Sequence, residues 1–545
     1  MTKAEEDKIS MKKVVCMLLG ISLAIIVCGC SGSDKKMQTN DEMAIGVSSE
    51  ELAKKYDASN IVLSDEKITV DGKEISSDTE AAVYAANDIV FYLEGQDFTY
   101  GEGTKEDEHS QAEADVHTVV HITKPGKYVV SGTLSAGQIA VDLGKDADEE
   151  LDASVTLILN NADITCSVAP GVIFYNVYEC CDNDEEDAKM DVDTSAAGAN
   201  VIIADNSINT INGSYVAKIY KSVELNEAGD EVVDSKKLHK YDAAFYSKRS
   251  MNIGGEEIGN GILNIHAENE GIGSELNLTI NSGTINIDSG NDGINTNEDG
   301  VSVTTINGGN LNVVVNGSTG EGDGIDSNGW LVINGGTVTS YACGDSMDAG
   351  IDSDMGIHIN GGTVIATGNM LDEIAGSEQN YVVFNLMDSV NSGTKVTIKN
   401  EAGEAVVECA AENRYACLVV STKDLTEGTY TLWKDDTQMA VSQSGGRMHG
   451  MMGGLRGPKP DADKMPQGER PEMPEGDSQM GTEYIVPEGN PMMKPEGDWM
   501  DLEEPPQKPE WDFNGNNIQN TEAAMEFTIT EGGNMFVVMQ PAKEQ

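Results

Sequence analysis

Four short segments between residues 270 and 353 set carboxylates and amides at matching positions around a Gly-Ile pair. They read Glu270-Gly271-Ile272-Gly273-Ser274, Asp292-Gly293-Ile294-Asn295-Thr296, Asp323-Gly324-Ile325-Asp326-Ser327 and Ala349-Gly350-Ile351-Asp352-Ser353. In the last, Asp348 stands one position off the column. Stacking would bring Glu270, Asp292 and Asp323 into one row, and Asn295, Asp326 and Asp352 into a neighbouring one. Two carboxylates about 5 Å apart repel by roughly 0.8 kcal/mol in water and by about 3 kcal/mol at an effective dielectric near 20. Such rows need protons or a hard cation. Calcium takes about six to eight oxygens from carboxylates, amide side chains, carbonyls and water, whereas magnesium prefers to keep its water. The expected ligands of Ca2+ are therefore Glu270, Asp292, Asn295, Asp323, Asp326, Asp348 and Asp352. The competing expectation is that these acids are solvated corner residues. The pattern is not an EF-hand loop, and the nonapeptide calcium repeat of secreted toxins is absent.

Stacking requires a repeating scaffold, and the same region supplies one. Asn281-Ser282-Gly283, Asn307-Gly308-Gly309, Asn334-Gly335-Gly336 and Asn360-Gly361-Gly362 recur at spacings of 26, 27 and 26 residues. Alternating apolar residues precede each turn, and a short β-branched run follows it. A period of this length with short strands and no helical pattern indicates a stacked solenoid. A parallel β-helix fits best, filled by Ile, Val and Leu, with Gly and Asn supplying the corners. The aligned Asn residues would stack about 4.8 Å apart as an amide ladder. Segments at 155–164, 201–213 and 243–253 read as earlier coils. The charged stretches 179–193 and 221–240 read as loops leaving the stack.

The chain has 545 residues, room for two or three ordinary domains or one long repeat domain. It carries 93 acidic against 35 basic residues, a net charge of −58. That excludes electrostatic binding to nucleic acid or anionic lipid, which are themselves polyanions. Only 5% of residues are aromatic, while Gly reaches 59. A single compact aromatic core is not expected, and the β-branched runs argue against disorder throughout.

The ends differ from the middle. Met11-Lys12-Lys13, an apolar run from Val14 to Val27, and Cys28-Gly29-Cys30 describe a secretory signal ending in a lipobox, with Met11 the more natural start. The apolar run is short for a permanent span. Cleavage before Cys30 and lipidation of its thiol would anchor the protein to the extracellular face of a bacterial membrane. Residues 1–29 are then the signal, 30–58 a polar, disordered tether, and 59–118 an N-terminal β segment and cap. The solenoid occupies 119–386 and a small C-terminal β segment 387–441. Residues 442–519 hold eleven of the fourteen prolines and read as a disordered Met/Pro/Gly-rich linker. Its methionines offer soft ligands for copper(I), but the favoured reading is a disordered spacer that tolerates Met. Residues 520–545 carry a last strand returning to the body. Cys409 and Cys417 flank a turn and could pair. No CxxC pair supports a zinc site.

The order His121-Ile122-Thr123-Lys124-Pro125-Gly126-Lys127-Tyr128, then Gly137-Gln138-Ile139-Ala140-Val141, then Val155-Thr156-Leu157-Ile158-Leu159-Asn160 resembles the opening of a bacterial surface carbohydrate-binding β-helix family. The Asn-Gly-Gly-Thr coils and Asp-Gly-Ile-Asp-Ser corners resemble its middle. Val419-Val420-Ser421 and Leu425 to Leu432 resemble its close. The likeness runs from Val119 to Leu432. It implies a right-handed parallel β-helix like that of pectate lyases, bound calcium, and an acidic polysaccharide partner such as polygalacturonate. Ala349 stands where an acid is expected, and inserts follow Cys166 and Ile219.

A lyase is the rival expectation. Its base is usually Arg or Lys, yet Met251 to Thr394 contains neither. Only His266 and His358 could serve there, with Lys248, Arg249 or Arg414 approaching from outside. A glycoside hydrolase would need a carboxylate pair about 5 Å or about 6.5–9.5 Å apart, which Asp323 with Asp326 or Asp352 could form. A third expectation is an adhesive or structural surface protein. The reading that combines these features is a monomeric, lipid-anchored binder of acidic polysaccharide. Trp330 and Tyr341, with Tyr381, are its candidate sugar-stacking residues.

Overall fold

Residues 270–341 visit three parallel ladders in strict rotation. In the computed structural model, which describes residues 46–181, 185–443 and 523–539, Glu270–Ser274, Leu278–Ile280 and Thr284–Ser289 are followed by Ile294–Thr296, Val303–Ile306 and Asn310–Val315. Ile325–Ser327, Trp330–Ile333 and Thr337–Tyr341 come next. On the first ladder Ile272, Ile294 and Ile325 lie opposite one another. On the second, Ile280, Ile306, Ile333 and Ile359 do so. On the third, Ile285, Leu311, Val338 and Val364 align. All belong to one continuous buried core. Side chains alternate faces along a strand, so a one-residue slip would expose each of these layers.

The corner between the second and third ladders has a built-in register. Asn307, Asn334 and Asn360 each donate through Nδ2 to the Oδ1 of the preceding Asn, at 3.0, 2.9 and 2.9 Å. The expected amide ladder is therefore present. The glycine two residues later has positive φ at each level: 95° at Gly283, 86° at Gly309, 80° at Gly336 and 85° at Gly362. A Cβ on Gly309 would stand 2.5 Å from the Gly283 carbonyl oxygen. A second ladder, Asn264–Asn286–Asn312, runs along the third ladder with two 2.9 Å bonds.

The stack begins earlier than the sequence suggests. Ser59–Leu63, in the segment assigned to an N-terminal β segment and cap, already pairs in parallel with Gly126–Leu134 and supplies a rung. Ser49–Tyr56, assigned to the disordered tether, is a helix. Ser48 and Glu51 form its capping box, which satisfies free N-terminal amides. Its Leu52 and Ala53 pack on Val129, Ile158 and Ala204. The stretch 221–240 leaves the stack as the hairpin Val216–Leu225 with Val232–Tyr241.

At the other end, Tyr415–Ser421 runs antiparallel to Thr363–Gly368 and to Tyr381–Val390. Gly533–Met539 returns to pair with Tyr381–Val390 and with Ala440–Gln443. Phe384, Phe527 and Phe536 centre a second core. Cys409 and Cys417 are both buried and unpaired, on strands belonging to different sheets. The signal segment, Cys30, most of the linker and its methionines lie outside the described residues.

Candidate functional site

The predicted acids follow the first ladder. Gly273, Asn295 and Asp326 are direct partners across its strands. The first row is set by the backbone. Gly271 N–H donates to the Asp292 carbonyl, Gly293 to that of Asp323, and Gly324 to that of Ala349, at 3.0, 3.0 and 2.9 Å. Glu270, Asp292, Asp323 and Ala349 thus occupy successive levels. Asp348 lies beside the last level, where its Oδ2 accepts from Gly322 N–H at 2.6 Å and from the Ser346 hydroxyl.

Side chains tie these levels together. Asp292 Oδ1 accepts from Asp323 N–H at 2.7 Å, and Asp323 Oδ1 accepts from Ala349 N–H at 2.6 Å. Asn295 Nδ2 donates to Glu270 Oε1 at 3.1 Å and to Asp292 Oδ2 at 3.3 Å. Three oxygens remain without a hydrogen-bond partner although buried: Glu270 Oε2, Asn295 Oδ1 and Asp352 Oδ1. Buried polar atoms are nearly always satisfied, so three orphans on one face call for an explanation. Gly273 is closely packed beside one of them: a Cβ there would lie 2.9 Å from Ala243 Cβ, 3.1 Å from Tyr246 Cδ2 and 3.3 Å from Glu270 Oε2.

The electrostatics agree with the crowding. Burial, then the charges of Asp242 and Asp292, hold the Glu270 carboxyl well above the usual range. Burial, then Asp352 and Asp292, do the same to Asp323. Asp292 is pushed up to about 6, Asp326 to about 8 and Asp352 to about 7, burial leading in each case. Without a cation, burial and crowding favour the protonated forms of these carboxyls. A bound cation would reverse that preference, because its charge favours the ionised form.

Two acids escaped the sequence pattern. Asp242 receives the Glu270 N–H on its carbonyl at 3.1 Å and stands one position off the row, where Ala243 is the partner of Glu270. Asp372 adds its charge to Asp352. Neither adjoins a Gly-Ile pair. The acids do not converge on one point. Among the described residues, the His, Cys, Asp and Glu ligand atoms that gather within 4.8 Å of one another in a trio are those of Glu179, Cys180 and Cys181. An ion on the acid row must therefore draw on Asn295, backbone carbonyls and water as well as carboxylates. The orphan oxygens and the hard donor set fit calcium chemistry.

The aromatic candidates stand elsewhere. Tyr341 is buried against the second core, and burial pushes its phenol up. Its ring is covered by the C-terminal sheet, which corrects the expectation that it stacks on sugar. Trp330 is half-buried and opens a second-ladder strand opposite Val303 and Gly356. Tyr381 packs against the main core. His358 aligns with Thr279, Thr305 and Val332 on the second ladder. His266 lies on the third, 3.8 Å from Asp288. Neither histidine is on the ladder that carries the acids.

These features define an all-β protein whose long parallel ladders carry a row of buried carboxylates. The family described as carbohydrate-binding domain-containing protein matches residues 116–416, more than half of the chain. The chain belongs to that family. A solved structure described as the polysaccharide lyase-like protein from C. thermocellum, gadolinium derivative, is 20% identical to it. That match covers 55% of this chain and 90% of the other, with a TM-score of 0.29. No curated protein matches the chain.

Proposed function

We propose that the protein binds an acidic, polygalacturonate-like polysaccharide through calcium held on a right-handed parallel β-helix, as a monomeric lipoprotein anchored at Cys30 on the extracellular face of the membrane. Membership in the carbohydrate-binding family supports a polysaccharide partner. Three ladders visited in rotation are the arrangement that a parallel β-helix requires. The observation that carries the calcium reading is the set of buried, unpartnered oxygens on Glu270, Asn295 and Asp352. Glu270, Asp292 and Asn295 would supply ligands at one end of the row, and Asp323, Asp326, Asp348 and Asp352 along the rest, with backbone carbonyls and water completing each shell. Bound calcium would supply positive charge shared by protein and uronate carboxylates, which lets an acidic protein take an acidic ligand. Extracellular calcium would sustain even weak sites, with Kd near 10⁻⁴–10⁻³ M on the order-of-magnitude scale of extracellular modules.

Binding is favoured over β-elimination by the bases near the row. Lys240 Nζ lies 2.6 Å from Asp242 Oδ2. Burial pulls its ammonium down, but the charge and hydrogen bond of Asp242 leave it raised, and a protonated amine takes no C5 proton. Arg249 is held by Asp148 at 2.5 Å. Lys248 lines a separate cavity with His239 and Tyr241. Calorimetric titration with polygalacturonate, with and without chelator, tests the proposal. Ultraviolet absorbance of unsaturated uronates tests the lyase alternative, and a sustained rise would overturn the binder reading. A protein target in place of polysaccharide would leave both assays silent.

A further inference from the structure

A second polar surface lies on a different ladder from the acids. A cavity of about 690 Å³ has as its floor Asn252, Thr279, Thr305 and Val332, which are successive partners on the second ladder. Along one side runs the Asn281–Asn307–Asn334–Asn360 amide ladder. The opposite wall is residues 190–195, part of the insert that follows Cys166.

This wall is fastened to the floor. Thr194 is buried, and its Oγ1 donates to Asn252 Oδ1 at 2.8 Å and shares a 2.7 Å hydrogen bond with Thr279 Oγ1. Asn252 Nδ2 returns a 2.7 Å bond to the Thr194 carbonyl. The insert thus turns an open strand face into a trough running across several rungs.

The lining has a repeating chemistry. Each inner amide of the Asn ladder uses one N–H and one oxygen lone pair on its neighbours, leaving one donor and one acceptor free. Asn281, Asn307 and Asn334 are exposed, so the pair is offered again at each rung, about every 4.8 Å. Thr305 adds a half-exposed hydroxyl. The floor carries no charge. The charged groups lining the trough are Asp191 and Asp193, on the wall, and they disfavour a uronate, sulfate or phosphate arriving without a metal. Sugar hydroxyls, which both donate and accept, match the paired donors and acceptors of the Asn ladder and the Thr305 hydroxyl.

We propose that this trough seats an uncharged, hydroxyl-rich polysaccharide lying along the stack of rungs, with its hydroxyls on the amide ladder. The inference rests on the carbohydrate-binding assignment but not on calcium or on an acidic ligand. The partner would therefore bind on two faces, with charged stretches on the acid row and neutral stretches in the trough.

Affinity electrophoresis of the full chain in gels containing xylan, galactan or β-glucan, all with EDTA, tests it. Polygalacturonate with calcium serves as the separate arm. The wild type should be retarded by at least one neutral polysaccharide in EDTA. Thr305→Trp, which fills the floor, should weaken that retardation by at least about tenfold, while Thr305→Ser retains it. Calcium-dependent retardation by polygalacturonate should survive Thr305→Trp and be lost in Asp326→Asn. If Thr305→Trp does not fold, Ser195→Trp on the exposed wall carries the same test. No retardation of the wild type by any of the three neutral polysaccharides overturns the proposal. So does a folded trough variant that binds them as the wild type does. Loss of the polygalacturonate arm alone overturns the calcium reading and leaves the trough standing.

Discussion

Asp292 and Asp323 are joined across adjacent rungs, the Asp323 backbone N–H donating to Asp292 Oδ1 at 2.7 Å. The bond fixes one carboxylate oxygen of Asp292 and brings the next acid to the neighbouring level. Asp323 repeats the contact with Ala349. The row is thus spaced by the sheet itself, and its like charges cannot separate without breaking the ladder.

Metal removal should lower stability. With calcium at about a hundredfold excess over its Kd, linkage adds about 2.7 kcal/mol. Thermal melting with and without EDTA reads this directly. A lower midpoint in EDTA, restored by calcium, is expected for the wild type. Asp323→Asn and Asp326→Asn should shrink the difference, and an unchanged wild-type midpoint would contradict a filled site.

The metal-free protein should weaken as pH rises. Asp292, Asp352 and Asp326 are raised from about 3.8 to about 6, 7 and 8. The folded state then holds more protons than the unfolded one between those values, so stability falls with increasing pH. The contribution is full below about pH 4 and is lost by about pH 8. Melting midpoints from pH 4 to 8 in EDTA should decline, and calcium or Asp326→Asn should flatten the decline. A midpoint in EDTA that rises over this window would contradict the raised carboxyls.

The amide ladder should contribute modestly. Asn307 makes one bond to Asn281 and receives one from Asn334. Because its side chain is exposed, Asn307→Ala should cost about 1 kcal/mol. The denaturant midpoint measures this, and a change near zero would mean that water replaces both bonds.

Gly309→Ala should cost more. Its φ is 86°, and the new Cβ would meet the Gly283 carbonyl oxygen at 2.5 Å. Strain of about 1–3 kcal/mol is expected from the backbone alone, before the contact is relieved. Denaturant unfolding should place Gly309→Ala below Asn307→Ala, and the reverse order would contradict the corner geometry.

The periodic part of this fold is legible because Gly-Ile recurs every 22 to 31 residues and the Asn-x-Gly turn every 26 or 27, so Asn295 and Asp326 align by their place after Gly-Ile. What lies outside the period is not. Asp242 precedes Ala243-Ala244-Phe245, which carries no Gly-Ile marker, and Asp372 falls where the repeat ends. The Ser49–Tyr56 helix announces itself in its Ser48 and Glu51 capping box, yet its polar composition reads as tether. Tyr341 ends an otherwise ordinary strand, and only the distant chain around Phe384 and Phe536 buries it. Such long-range cover leaves no local trace in sequence. The trough also depends on contacts between distant segments, since Thr194 reaches Asn252 and Thr279 across 58 and 85 residues.

The most direct measurement is calorimetric titration of polygalacturonate into the protein in calcium, repeated in EDTA and with Asp323→Asn and Asp326→Asn. Saturable binding in calcium that disappears in EDTA and is weakened in both variants is the predicted result. Binding of equal strength in EDTA, or no binding in calcium, would contradict the account.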